Sequence, residues 1–101
     1  MTAGEAISST MENKPSSMKD TQLLKWLNEL EHMIAEKIYN DPLTEDITEE
    51  TDLSVGVPYE ELYELFLRLK IDFANGDYDS YNNELTMYNS LYEEFAKAYK
   101  R

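Results

Sequence analysis

The chain has 101 residues, 21 acidic and nine basic, giving a formal charge of -12 and no cysteine. That length holds one domain with a modest core, and the missing cysteines exclude disulfides, thiolate metal sites and cysteine nucleophiles, so a reducing interior is the expected compartment. The charge opposes nucleic-acid binding, which rests on Lys and Arg displacing counterions from phosphate, and it opposes an anionic membrane surface for the same reason.

In chain order, Thr2 and Glu5 form a Thr-x-x-Glu capping box. Ala3, Ile7 and Met11 then recur on one side, while Gly4, Ser8, Ser9 and Thr10 weaken the helix. Residues 1–17 therefore read as a short N-terminal helix or a flexible arm, ended by Lys14-Pro15-Ser16-Ser17. Residues 18–101 read as a single helical domain. Its first helix is predicted over 18–39, with Leu23, Leu27, Leu30, Ile34 and Ile38 as the apolar seam and Trp26 and Met33 widening it. Asn28, Glu29, Glu31, Glu36 and Lys37 are left to solvent, and Asn40-Asp41-Pro42 stops the helix.

No helical period survives in 41–57, where Asp41, Glu45, Asp46, Glu49, Glu50 and Asp52 occur without a base. A connection beyond about 12–15 residues is usually functional or mobile. It reads either as a solvated link or as an arm whose Ile47, Leu53, Val55 and Val57 order against a partner, with room for a short extended piece around 53–57. Pro58 suits the first turn of the next helix, with Glu60 and Glu61 near the positive end of its dipole. Tyr59, Leu62, Phe66, Leu69 and Phe73 form one apolar stripe, and Tyr63, Leu67, Ile71 and Ala74 form a second beside it. A helix apolar on two sides is a central one. Asn75-Gly76 ends it, Asp77 caps the last helix, and that helix is predicted to run to about Lys100, completing an antiparallel hairpin. On it Tyr78, Tyr81, Leu85, Tyr88, Tyr92, Phe95 and Tyr99 step three and four residues apart, one face ruled by tyrosine. The fold class is all-α, with three to four helices and a long acidic loop before the hairpin.

Chemistry is sparsely signalled. His32 is the only histidine and has no converging partner at metal or general-base spacing. Asp72 to Asn83 mimics a calcium loop, but glycine falls fifth instead of sixth and no glutamate stands twelfth. No phosphate-cradling glycine loop, Gly-x-Ser-x-Gly elbow or His-Glu-x-x-His is present. No catalytic residue, metal ligand or cofactor is expected. The N-terminus lacks the basic start and apolar run of a signal peptide, and no apolar stretch approaches the roughly 20 residues that span a bilayer. The residues expected to meet a partner are Glu45, Asp46, Ile47, Glu49, Glu50, Leu53 and Val55 of the loop, with Tyr92, Phe95 and Tyr99 of the last helix.

Three segments carry a resemblance. Lys25-Trp26-Leu27-Asn28-Glu29-Leu30-Glu31 resembles the Trp-Leu-x-Glu-Leu-Asp opening of small proteins from the structural-gene cassettes of tailed phages and prophages of Gram-positive bacteria. Val55-Gly56-Val57-Pro58-Tyr59-Glu60-Glu61-Leu62-Tyr63 is similar to their Pro-Tyr-Asp-Glu-Leu-Tyr element. Lys70-Ile71-Asp72-Phe73-Ala74-Asn75-Gly76-Asp77, followed by Tyr81-Asn82-Asn83 and the later aromatics, is similar to their tail, with Phe73 where the family tends to tyrosine. The resemblance implies a virion protein of the head–tail junction: a helical adaptor, or head-completion protein, forming a ring under the portal. Its partners would be the portal, neighbouring neck or tail proteins and further copies of itself, twelve to the ring. An acidic lumen would repel passing DNA within a Debye length of about 8–10 Å. A closing ring needs two different faces on each subunit, which the two-sided helix 58–75 and the tyrosine helix are expected to supply. The competing expectation is an acidic phage-encoded mimic of DNA that inhibits a host DNA-binding enzyme or nuclease.

Overall fold

A computed structural model describes residues 1–99, so the expectation of helix at Lys100 lies outside the described residues. The chain is all-α, 67% helical, with four helices and no strand among the described residues: α1 (Ala3–Asn13), α2 (Asp20–Lys37), α3 (Glu61–Asn75) and α4 (Tyr78–Tyr99). None of these helices is long and apolar enough to cross a membrane.

Residues 1–17 are not an arm in this structure. The α1 capping box closes in both directions, the Glu5 amide donating to Thr2 Oγ1 at 3.1 Å and the Thr2 amide to Glu5 Oε1 at 2.8 Å. Ala3, Ala6, Ile7 and Thr10 share one buried face, and the Thr10 hydroxyl is satisfied by the Ala6 carbonyl at 2.8 Å. The next two free donors of the helix start reach into the long connection: Ala3 N–H to the Thr51 carbonyl at 3.0 Å and Gly4 N–H to the Glu49 carbonyl at 2.9 Å. Leu53 N–H returns to the Met1 carbonyl at 2.9 Å. Gly4 allows this approach, since a Cβ there would stand 3.2 Å from the Glu49 oxygen. Among the described residues extended pairing is limited to one antiparallel bridge between Thr2 and Asp52, just before the short extended piece expected around 53–57.

α3 is the central helix. Leu62, Tyr63, Leu65, Leu67, Leu69 and Ile71 are buried, and α1, α2 and α4 all pack on it. Each such side chain removed from water contributes about 1.5–3 kcal/mol, so this helix carries much of the core. Aromatic contacts run in opposite order along the last two helices. Phe73 meets Tyr81 at 5.3 Å, Phe66 meets Tyr88 at 5.6 Å and Tyr59 meets Phe95 at 5.7 Å between ring centroids. The two helices are therefore antiparallel. Gly76 turns the chain between them in the left-handed region, at φ 76°, and Asp77 N–H closes back on the Asp72 carbonyl at 2.9 Å. The Val57–Pro58 peptide is cis, and α3 begins at Glu61, three residues later than Pro58 suggested.

The sequence assigned Glu31 to solvent, and the structure corrects this: it is 3% exposed. Tyr63 Oη donates to Glu31 Oε1 at 2.5 Å, and Ser54 adds its amide to Oε2 at 3.0 Å and its hydroxyl to Oε1 at 3.2 Å. The same Tyr63 oxygen accepts the Val55 amide at 2.9 Å. Burial, then the nearby Glu31 charge and the hydrogen bond to it, hold the Tyr63 phenol far above its ordinary range. It stays a donor at every physiological pH. Removing this hydroxyl strands the buried Val55 amide and takes the shortest of three donors from the buried Glu31 carboxyl group. Tyr63→Phe is expected to cost about 2–4 kcal/mol, more than an ordinary hydrogen bond, read as a lower urea midpoint with an unchanged denaturant slope.

Candidate interaction surface

The long connection is a fixed strap across α1 and α2. Ile47, Leu53 and Val55 are at most 9% exposed, so the side chains expected to await a partner already lie in the chain's own core. The physical reason is alternation. The strap turns these residues inward in turn, while Asp46, Thr48, Asp52, Ser54 and Gly56 beside them face out. Asn28 of α2, also assigned to solvent by the sequence, clips the strap twice: its carbonyl oxygen accepts the Ile47 amide at 3.0 Å and its amide nitrogen reaches Asp46 Oδ1 at 3.2 Å. His32 Nε2 lies 3.4 Å from the same Asp46 oxygen. The lone histidine thus faces the strap.

The strap's carboxylates point outward. Asp41, Glu45, Asp46, Glu49, Glu50 and Asp52 are all exposed, and among the described residues none pairs with a lysine or arginine. Of the three expected contact residues on α4, Tyr99 is exposed, Tyr92 is half-buried, and Phe95 is covered at 5% exposure. Phe95 packs against Tyr39, Tyr59, Tyr92 and Tyr99 at centroid distances of 5.7–6.5 Å. It is the floor of an aromatic cluster and not a free surface.

That cluster borders an open groove of about 310 Å³ between the end of the strap and the last turns of α4. Tyr39, Val57, Tyr59, Phe95 and Tyr99 line it. Tyr39 is held across its wall by its hydroxyl, which donates to the Ser54 carbonyl at 3.2 Å, and by Tyr99 at 4.6 Å between centroids. Burial raises the Tyr39 phenol above its usual range, so this donor also persists. Val57 stands at the rim, 81% exposed. The strap and the C-terminal aromatics, separate expectations in the sequence, meet here. Tyr39 and Tyr59 went unassigned as contacts because one ends a helix and the other continues a helical stripe. Their only signal was an aromatic three residues before Pro42 and another directly after Pro58.

A second exposed apolar patch lies at the other end of α4, where Phe73 and Tyr78, each 57% exposed, stack at 5.8 Å. Phe73 was expected inside and lies outside, because the last turn of α3 buries Ile71 and Asp72 and leaves Phe73 partly open beside Tyr78 and Tyr81. Asp72, first of the calcium-like spacing, is held by Lys14 and Ser80. Among the described residues no three His, Asp or Glu side chains gather where they could hold a metal ion.

Comparison with protein-family models, with curated proteins and with solved structures gives no match to this chain.

Core and rim separate by substitution. Phe95→Ala is expected to cost about 3–5 kcal/mol through the cavity it leaves. Val57→Ser should stay within about 0.5 kcal/mol of the wild type, since that side chain touches little but water. Thermal and urea unfolding of the two variants measures both.

Proposed function

We propose that this chain is a non-enzymatic structural protein of a phage virion, a head–tail adaptor of the neck that assembles as a ring on the portal. The observation that carries the reading is the pair of exposed apolar patches at opposite ends of α4. The 22 residues of this helix set them about 30 Å apart. A ring closes through contacts between unlike faces, and the groove at Val57 and Tyr99 and the tip at Phe73 and Tyr78 are two such faces. The two-sided α3, expected to serve as one of them, is covered by α1, α2 and α4 and cannot. The resemblance of the 25–31, 55–63 and 70–77 segments to neck proteins of Gram-positive phages and prophages supports the same role. So does an acidic surface that lets DNA pass without adhering. Portal, neighbouring neck or tail proteins and further copies, twelve in the ring, are the proposed partners, and the virion head–tail junction is the proposed location.

One observation favours a second reading, an inhibitor that imitates DNA. Six strap carboxylates are exposed without a lysine or arginine partner, on a segment that the fold holds in place. A fixed array of unpaired anions suits a basic groove on a host enzyme or nuclease.

The two readings part in purified particles. Mass spectrometry of virions is expected to give this protein in a fixed ratio to the portal. Val57→Asp and Tyr99→Ala should abolish incorporation while leaving the monomer folded by circular dichroism. Absence of the protein from particles overturns the adaptor reading and brings the inhibitor forward. In that case reversal of Glu45, Glu49 and Glu50 to Lys should abolish binding to the host target, and wild-type binding should weaken steeply with salt.

A further inference from the structure

The segment after α1 is tied to the α3–α4 hairpin by one cluster of polar groups. Lys14 Nζ donates to Asp72 Oδ1 at 2.6 Å and to Ser80 Oγ at 3.3 Å, and Ser80 Oγ donates to Asp72 Oδ2 at 2.7 Å. Glu84 follows one turn after Ser80 on α4, and its Oε1 lies 3.8 Å from Lys14 Nζ. Asp72 is 3% and Glu84 8% exposed. Glu84 Oε2 is buried with no hydrogen-bond partner. From α3 the other charged group facing Glu84 is Arg68, which is itself drawn to Glu64 at 3.8 Å.

Two buried carboxyl groups here share one bonded ammonium. If both were ionised, one negative charge would remain uncompensated away from water, next to another of like sign. A proton on Glu84 removes that charge and turns the orphaned oxygen into a donor toward Asp72. We propose that Asp72 and Glu84 share one proton, and that this proton fastens α3 to α4 at the end of the hairpin that Lys14 covers.

The two groups divide the roles by their surroundings. Burial pushes Asp72 upward, but hydrogen bonds from Lys14 and Ser80 outweigh it and hold Asp72 below its ordinary value, so it stays the anion. Burial, then the hydrogen bond and charge of Asp72, push Glu84 up to about 7. The folded chain thus keeps a proton that the open chain gives up near 4.5. A raised folded value contributes stability fully below 4.5, loses it as the pH climbs, and has none left above about 7. The Asp72 contribution runs the other way and is lost only as the pH falls below 3.8, outside this range. Lys14 and Arg68 pull the Glu84 value down, so the proton stabilises the contact between α3 and α4 and not the docking of Lys14.

Hydrogen exchange of the backbone amides of residues 81–88 on α4, corrected for intrinsic rates, tests the shared proton between pH 5 and 8. In the wild type the opening equilibrium is expected to grow up to about tenfold per pH unit from 5 to 7 and then level off. In Glu84→Gln, whose amide can donate to Asp72 without titrating, the same amides should show no such slope. An equal slope in both proteins overturns the proposal. Carboxyl carbon NMR of the wild type decides independently of whether the variant folds: a Glu84 midpoint near 7 supports the shared proton, and one near 4.5 overturns it.

Discussion

The hydroxyl of Tyr63, buried where α2 meets α3, donates to Glu31 and accepts from Val55, and the path of the strap follows from that one oxygen. A connection without helix or sheet leaves its amides and carbonyls unpaired, and a buried carboxyl group beside it would be costly alone. Each problem here is the other's solution. Ser54 and Val55 supply donors that Glu31 and Tyr63 lack, and the two helical side chains supply acceptors that the strap lacks. With Ser54 and Val55 fixed, Leu53 falls inward in step with Val55, and the alternation ends there, since Val57 is exposed. The groove exists because the strap ends where it does.

The strap in turn completes α1. A helix of 11 residues is marginal on its own, and this one holds glycine and a run of hydroxyl residues. Its first free amides are satisfied by the Thr51 and Glu49 carbonyls, and its far end is fastened through Lys14 to the hairpin. α1 is therefore as ordered as its two anchors, one a set of backbone hydrogen bonds and the other a set of charges. The first is indifferent to pH and the second is not. Charge does different work at the two places: around the strap it faces water, and in the hairpin it is buried and must be neutralised.

The aromatic residues of α4 likewise split by position. Tyr88 and Phe95 fill space against α3, Phe66 and Tyr59, and burial pushes the Tyr88 phenol well above its ordinary range. Tyr99 and Tyr78, at the two ends, extend past the helix that covers their neighbours and remain open. One periodic stripe thus yields a core in its middle and two exposed patches at its tips.

Much of this was legible from the residues alone. The 3.6-residue period placed α2, α3 and α4, the Thr2–Glu5 box offered a start for α1, which the residues left as helix or arm, and the double stripe around Leu62 and Leu67 marked α3 as central, because periodicity and capping are local properties of the chain. Local rules also put Glu31 and Asn28 with the solvent-facing residues, and treated Ile47, Leu53 and Val55 as free. Those assignments failed because the partner of each is distant in sequence: Tyr63 for Glu31, Ile47 for Asn28, the faces of α1, α2 and α3 for the strap. Pairing between remote segments is a matter of shape and of which buried groups can satisfy one another, and no period along the chain records it. The same holds for the Lys14–Asp72–Glu84 cluster, where three ordinary surface residue types become a buried site only when α1 and the hairpin meet. Helix content, acidity and aromatic spacing belong to the sequence; the strap, the groove and the shared proton were decided by tertiary packing alone.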